Sequence, residues 1–365
     1  MFPAEALALD LIERGYHVEL ATDERGAKYT PFAGGIPVHK LKTASLKPGI
    51  LGKIKTAVSL AAGHLQAGKL LNQLKPAVVV GFGGYPSFPS VYAAQKKHIP
   101  TILHEQNAIL GKANAMLAPK ADRIALAWPS VKGLGESDAV RSVVTGNPVR
   151  PDIASLYNKP YPVLDVDGDI RIFVMGGSQG ASVFSHVLPE AISKFGVDHK
   201  SRLKIIQQCR EEDIKAVKAQ YEEMGVEADL RVFFEDVEKQ LEKCHLVIGR
   251  SGAGTVAEVT TAGRPAIFVP YPHNSDQQQK WNADIVADVG GAWVMTEEGF
   301  TVEALFTRLE TFLQNPETLF VAAEKARTVG KPDAARKLGN LVTAIASGWD
   351  KSNNKTFDLT QGREG

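Results

Sequence analysis

Residues 245–258 read HLVIGRSGAGTVAE. The apolar run HLVIG has the length and composition of a buried strand, and the small residues RSGAG behind it form a loop that launches a helix. Small residues let backbone N–H groups approach an anion, and a helix start adds the positive end of its dipole. Glu258 lies on that helix, where its carboxylate can accept both hydroxyls of a ribose while the loop of Ser251, Gly252 and Gly254 faces a phosphate. A glutamate that merely caps its helix is the plainer alternative.

The same arrangement occurs earlier in the chain. IRIFVM is followed by GGSQGA, residues 176–181, and then by a helical pattern. Ser178 adds a hydroxyl donor, and the absence of a GK[ST] ending separates this loop from a P-loop. Between and after the two loops, LKIIQQ, LRVFF and PAIFVP read as further strands separated by helices. PHNSDQQQKWNA then offers side-chain amides for sugar hydroxyls, with Trp281 behind them, or else it is an ordinary polar loop.

The first half follows the same rhythm. A helix starts at Met1 with Pro3 in its first turn, carries Leu7, Ala8, Leu11 and Ile12 on one face and stops at Gly15. A strand over residues 16–22, a basic helical region over 54–74, a strand and glycine loop in VVVGFGGYPS, and a strand in PTILH follow. HEQN then sets His104, Glu105 and Asn107 side by side, a general base or a hydrogen-bonded pair. TGNPVR brings Arg150, suited to a phosphate or a sugar oxygen. The stretch to DVDGD is rich in Pro and Asp and reads as a linker; DVDGD itself reads as a turn, since it lacks the spacing of a calcium loop. Alternating strands and helices in both halves predict two α/β domains with parallel sheets, their ligand at the carboxyl ends of the strands in the cleft between them.

Composition sets the remaining bounds. The 365 residues suffice for two domains, and 44% hydrophobic with 23% charged residues is a globular balance. No apolar run reaches the roughly 18 residues of a membrane span, and Glu5, Asp10 and Glu13 in the first helix do not suit a secretory signal, so a cytoplasmic protein is expected. Cys209 and Cys244 form no metal-ligand pattern and fit buried thiols in a reducing compartment. The net charge of +1 hides an asymmetry: residues 25–104 hold Arg25, ten lysines and no Asp or Glu, so this stretch carries +11 and the rest −10. Between Lys40 and Lys75 the lysines interleave with apolar residues. That pattern is either a solvated helix face or a surface for an anionic leaflet or pyrophosphate lipid; the lack of aromatic interleaving and of a recognisable binding module argues against nucleic acid.

Taken in order, GFGGYPS, HEQNAILGKAN, TGNPVR, GGSQGA, GRSGAGTVAE and PHNSDQQQKWNA resemble the MurG family of UDP-N-acetylglucosamine:undecaprenyl-pyrophosphoryl-MurNAc-pentapeptide N-acetylglucosaminyltransferases, from about Met1 to Ala346. The resemblance implies the GT-B fold, an α/β architecture of two Rossmann-like domains with parallel sheets facing a cleft. It divides the chain into residues 1–147, facing acceptor and membrane, a linker over 148–169, a UDP-sugar domain over 170–346 whose last helices pack back on the first domain, and a polar tail over 347–365. It also implies UDP-N-acetylglucosamine as donor and lipid I as acceptor, with no cofactor, metal or nucleic acid. Carried over by motif, Ser178 and the run Ala253, Gly254, Thr255, Val256, Ala257 and Glu258 would bind the uridine diphosphate, with Glu258 on the ribose and the Phe234 backbone at the uracil. Gln278 and Gln279 would hold the N-acetylglucosamine, and Asn107 and Arg150 would reach the donor across the cleft. Lys47, Lys53 and Lys55 would face an anionic membrane, placing the protein peripherally on its cytoplasmic face.

One family motif has no counterpart. A GGTGGH loop, whose His is often assigned as base, would fall immediately before Met1. The expectation is that the natural protein starts upstream of this methionine and that the catalytic residue lies there; His104 and Glu105 are the substitutes within the chain, with an architectural role as their natural one. Another GT-B lipid glycosyltransferase, a UDP-sugar 2-epimerase and an inactive UDP-sugar-binding remnant stay open as alternatives. The acid-free basic stretch argues against the epimerase.

Overall fold

Pro3 fixes the backbone in the first turn of α1 (Phe2–Glu13), and Gly15, at φ +86°, takes the chain out of it. The helix buries Pro3, Ala6, Leu7, Ala8 and Leu11, the apolar stripe expected of it. The structure is a computed structural model describing residues 1–29, 33–43, 50–165, 167–177, 180–273, 276–348, 357–358 and 363–364; at 29, 50–60 and the last two pairs it describes the backbone alone. Its contacts divide the chain into Met1–Arg150 with Asp333–Gly365, and Pro151–Pro332.

In the first unit α1 leads to β1 (Leu20–Thr22), which pairs in parallel with β2 (Val38–Lys40). The strand expected from residue 16 is only three residues long, because Tyr16 and His17 are exposed and the pairing to β2 begins at Leu20. Then come α2 (Ile50–Leu74), β3 (Val79–Gly81), α3 (Gly84–Lys96), β4 (Thr101–Glu105), α4 (Lys112–Leu117), β5 (Arg123–Leu126), α5 (Glu136–Ala139) and β6 (Ser142–Val144). Strands β3 to β6 form a parallel sheet in chain order. Every residue of β4 and β5 is buried, as in a sheet covered on both faces.

The second unit opens with α6 (Pro151–Ser155). Residues 148–169, expected as a linker, thus contribute structure: Ile153, Leu156 and Tyr161 are buried, and the Tyr161 hydroxyl donates to the His245 carbonyl at 2.7 Å. DVDGD closes as a turn through the Gly168 N–H on the Asp165 carbonyl at 3.0 Å. The series continues through β7 (Ile170–Met175), α7 (Ser182–Ser193), α8 (Val197–Arg202), β8 (Leu203–Gln208), α9 (Glu211–Glu223), β9 (Glu227–Arg231), α10 (Val237–Lys243), β10 (Leu246–Gly249) and α11 (Ala253–Thr261). It ends with β11 (Ala266–Phe268), α12 (Gln278–Asp288), β12 (Ala292–Val294), α13 (Val302–Gln314) and α14 (Glu317–Val329).

Two strands differ from expectation. The strand read as LRVFF lies earlier, at β9, and Val232 and Phe233 are about half exposed beyond it; β9 is an edge strand, so no second neighbour holds these residues in the sheet. β12 was not anticipated. Its AWV segment pairs with β11 and completes a six-stranded parallel sheet in the order β12-β11-β10-β7-β8-β9. The first strand, β7, is therefore central and neighbours β10, the fourth, which is the order of a dinucleotide-binding sheet. Both cysteines are buried, and burial pushes the Cys244 thiol up to about 11. The last helix, α15 (Ala334–Ala346), belongs to the first unit and packs on α1, where the Arg14 guanidinium donates to Asn340 Oδ1 at 2.6 Å.

Candidate functional site

The direction of crossover reverses between β7 and β10, and open parallel sheets take ligands outside the carboxyl ends of strands at such a point. Met175 and Gly249, the last residues of the two strands, lie opposite each other. A side chain on Gly249 would put its Cβ within 2.9 Å of the Met175 carbonyl oxygen, so glycine keeps the strand ends together. Just beyond, a Cβ on Gly176 would meet the Ala181 nitrogen at 2.6 Å, which explains the tightness of the first glycine loop. The two loops singled out from sequence thus leave the sheet side by side.

The loop after β10 is held from beneath. Ser251 is fully buried, its hydroxyl donating to the Gln279 carbonyl at 2.8 Å, while Asn282 Nδ2 donates to the Ser251 carbonyl at 3.2 Å. Arg250 donates to the Val269 carbonyl at 3.0 Å and pairs with Glu297. These bonds fix the start of α11, which carries Ala253, Gly254, Thr255, Val256, Ala257 and Glu258; Gly254 is exposed, Val256 and Ala257 are buried, and Glu258 is 9% exposed. Gln278 and Gln279 open α12 behind Gln277, which adopts a left-handed φ of +51°. Gln279 Oε1 accepts the Tyr271 N–H at 3.0 Å, and Gln278 Nε2 donates to Asp276 at 2.9 Å. Trp281 is half-buried, with the Lys280 ammonium 5.2 Å from its ring.

Phe234 is buried edge-on against Phe173, with ring centroids 5.3 Å apart, and the Arg231 guanidinium sits 4.8 Å over its ring. Ser178 lies outside the described residues. The sequence reading lacks Arg250 and Gln208 as contributors to the site. Ser251, expected to face a phosphate, instead spends its buried hydroxyl on the Gln279 carbonyl and holds the loop from within; the pair of amides closing the strand LKIIQQ is the available signal for Gln208.

In the first unit the HEQN residues form a frame. Glu105 is 2% exposed and accepts four hydrogen bonds, from the Asn107 N–H (3.0 Å), Asn107 Nδ2 (3.1 Å), the Gly111 N–H (2.9 Å) and Asn114 Nδ2 (2.8 Å). His104 is wholly enclosed, with Nε2 donating to the Gly146 carbonyl at 3.0 Å, and burial lowers its pKa from 6.5 to about 4. Gln106 Nε2 donates to the Phe82 carbonyl at 2.7 Å, tying the GFGG loop to the same frame. Arg150 stacks 5.1 Å over the Phe2 ring. Lys47 lies outside the described residues, and Lys53 and Lys55 lie on the part of α2 where only the backbone is described.

Residues 1–126 match the Glycosyltransferase family 28 N-terminal domain and residues 171–338 the Glycosyltransferase family 28 C-terminal domain. With the parallel sheets above, these matches define a glycosyltransferase of the GT-B class. The chain is 49% identical over 346 residues, 95% of its length and 91% of the relative's, to the UDP-N-acetylglucosamine–N-acetylmuramyl-(pentapeptide) pyrophosphoryl-undecaprenol N-acetylglucosamine transferase of Rhodospirillum centenum. The protein of that name from Paramagnetospirillum magneticum is 43% identical over 346 residues, 94% of this chain and 93% of its own. Among solved structures, Acinetobacter baumannii MurG superimposes with a TM-score of 0.73 at 30% identity, over 94% of this chain and 95% of its own. The UDP-GlcNAc 2-epimerase of Neisseria meningitidis, with a TM-score of 0.62 at 13% identity over 94% of this chain and 95% of its own, shares the fold alone. The chain belongs to the MurG family.

Proposed function

We propose that this chain transfers N-acetylglucosamine from UDP-N-acetylglucosamine to the C4 hydroxyl of the MurNAc in undecaprenyl-pyrophosphoryl-MurNAc-pentapeptide, with inversion, to give lipid II for peptidoglycan. The observation that carries the donor half is the pair of glycine loops leaving adjacent strand ends, with Glu258 on the helix launched by the second. The hydroxyl attacks the anomeric carbon from the face opposite UDP, the bond from that carbon to the diphosphate oxygen breaks, and UDP departs with the electron pair. Loop amides and the α11 dipole stabilise the charge that builds on the diphosphate.

Ser178 and Ala253 to Glu258 take the uridine diphosphate, with Glu258 on the ribose and the Phe234 backbone on the uracil. Gln278 and Gln279 hold the N-acetylglucosamine, and Asn107 and Arg150 are read as further donor contacts. The attacking hydroxyl must pass its proton to a base within hydrogen-bond reach. The commitment of His104 and Glu105 to the frame of the first unit supports an architectural role for both. The basic segment around Lys47, Lys53 and Lys55 docks the protein on an anionic membrane, where the lipid acceptor resides; no helix among the described residues is long and apolar enough to cross one.

The ribose assignment is tested by calorimetric UDP titration of Glu258→Ala and Glu258→Gln. A carboxylate accepting two hydroxyls predicts a loss of about 10-fold or more for Glu258→Ala, with an intermediate loss for the Gln variant. Unchanged affinity in correctly folded variants contradicts it.

A further inference from the structure

Gln208, the last residue of β8, directs its whole amide at the backbone of two loops. Its Oε1 accepts the Gly176 N–H at 3.1 Å, while Nε2 donates to the Gly177 carbonyl at 3.0 Å and to the Val232 carbonyl at 3.1 Å. One partner is an N–H and two are carbonyls, so the orientation of the amide is determined by chemistry. Strand β8 lies between β7 and β9, with Gln208 opposite Arg231 at the end of β9. Gln208 therefore stands between the exits of its two neighbours and ties them together.

Those exits have different tasks. One is the glycine loop read as facing the diphosphate; the other runs over exposed Val232 and Phe233 to Phe234, read as facing the base. We propose that Gln208 is a positioning residue that sets the spacing between the phosphate-facing loop and the base-facing segment, so that a nucleoside diphosphate is gripped at both ends by one prearranged frame. The proposal rests on the reading of these loops as the nucleotide site. Only glutamine supplies the set of groups at this reach: asparagine is a methylene shorter, leucine has no polar atom, and glutamate keeps the acceptor for Gly176 but turns a carboxylate toward two carbonyl oxygens. Holding the loops in place before the ligand arrives removes an ordering cost from binding.

Gln208→Leu and Gln208→Glu test this by calorimetric and competition titrations with UDP, uridine and pyrophosphate, beside thermal unfolding. UDP spans both loops, so its affinity should fall by about 10- to 30-fold, whereas uridine and pyrophosphate, each touching one loop, should change by less than about 3-fold. In Gln208→Glu, acidification from pH 8 to 6 should recover part of the UDP affinity relative to the unsubstituted chain, because a protonated carboxyl regains one donor. UDP affinity within 2-fold of the unsubstituted chain in both variants, or equal losses for all three ligands, overturns the proposal. Glu258→Ala in the same titrations separates the two readings: if it weakens UDP and the Gln208 variants do not, the positioning role falls and the nucleotide site stands. If none of these variants weakens UDP, the site reading falls as well.

Discussion

His104 and Glu105 stand side by side in sequence, and their surroundings give them opposite electrostatic problems. The buried side-chain oxygens of Glu105 are satisfied by four hydrogen bonds, two from backbone N–H groups and two from side-chain amides. His104 has the Gly146 carbonyl as its hydrogen-bond partner and is held neutral by burial, with its pKa lowered to about 4. The unfolded imidazole binds its proton near 6.5, so between 6.5 and 4 the unfolded chain holds more protons than the folded one. Stability from this residue is complete above pH 6.5 and is lost as the pH falls toward 4. Between pH 7 and 5 the loss should be about 2 kcal/mol in urea unfolding. His245, also buried with a lowered pKa, acts in the same direction, so the comparison must be with His104→Asn, which should lose about that much less; identical pH dependence in the two chains would contradict the account.

At the scale of elements, what could be read from sequence divides by how each strand is stabilised. Central parallel strands are covered on both faces and are therefore mostly apolar runs, which is why IRIFVM and HLVIG match β7 and β10 closely, although Arg171 interrupts the first at an exposed position. The edges were harder. β12 is three residues long and is a strand through its pairing with β11, while Val232 and Phe233 look like strand residues yet lie beyond the last pairing of β9. Both glycine loops were legible because their backbone needs small residues; the hold that Arg250, Ser251 and Gln208 exert on them was not, because it depends on neighbours brought together by the sheet. α2 is the element whose function rests most on sequence. Replacing Lys47, Lys53 and Lys55 by Glu should reduce sedimentation with anionic vesicles by about 10-fold or more, since each lysine near such a surface is worth about 1 kcal/mol. Transfer to a water-soluble acceptor analogue should be spared; equal loss of both would contradict membrane docking.

For the whole molecule, the chain forms two α/β units, each built on a parallel sheet. The second unit has the strand order of a dinucleotide-binding sheet, and the proposed donor site lies at its switch point. The first unit combines a parallel sheet, the HEQN frame and the basic stretch, and its α1 is joined by α15 from the far end of the chain. Family membership extends across both, through matches over residues 1–126 and 171–338. The central claim is that the protein is an inverting N-acetylglucosaminyltransferase whose donor is seated at the adjacent ends of β7 and β10. Its most direct test is to incubate the purified full-length protein with UDP-N-acetylglucosamine and lipid I, and to follow UDP release together with the anomeric configuration of the product. The account predicts one UDP released per disaccharide formed, with inversion at the anomeric carbon. Tight UDP binding with no disaccharide, or a product of retained configuration, would contradict it.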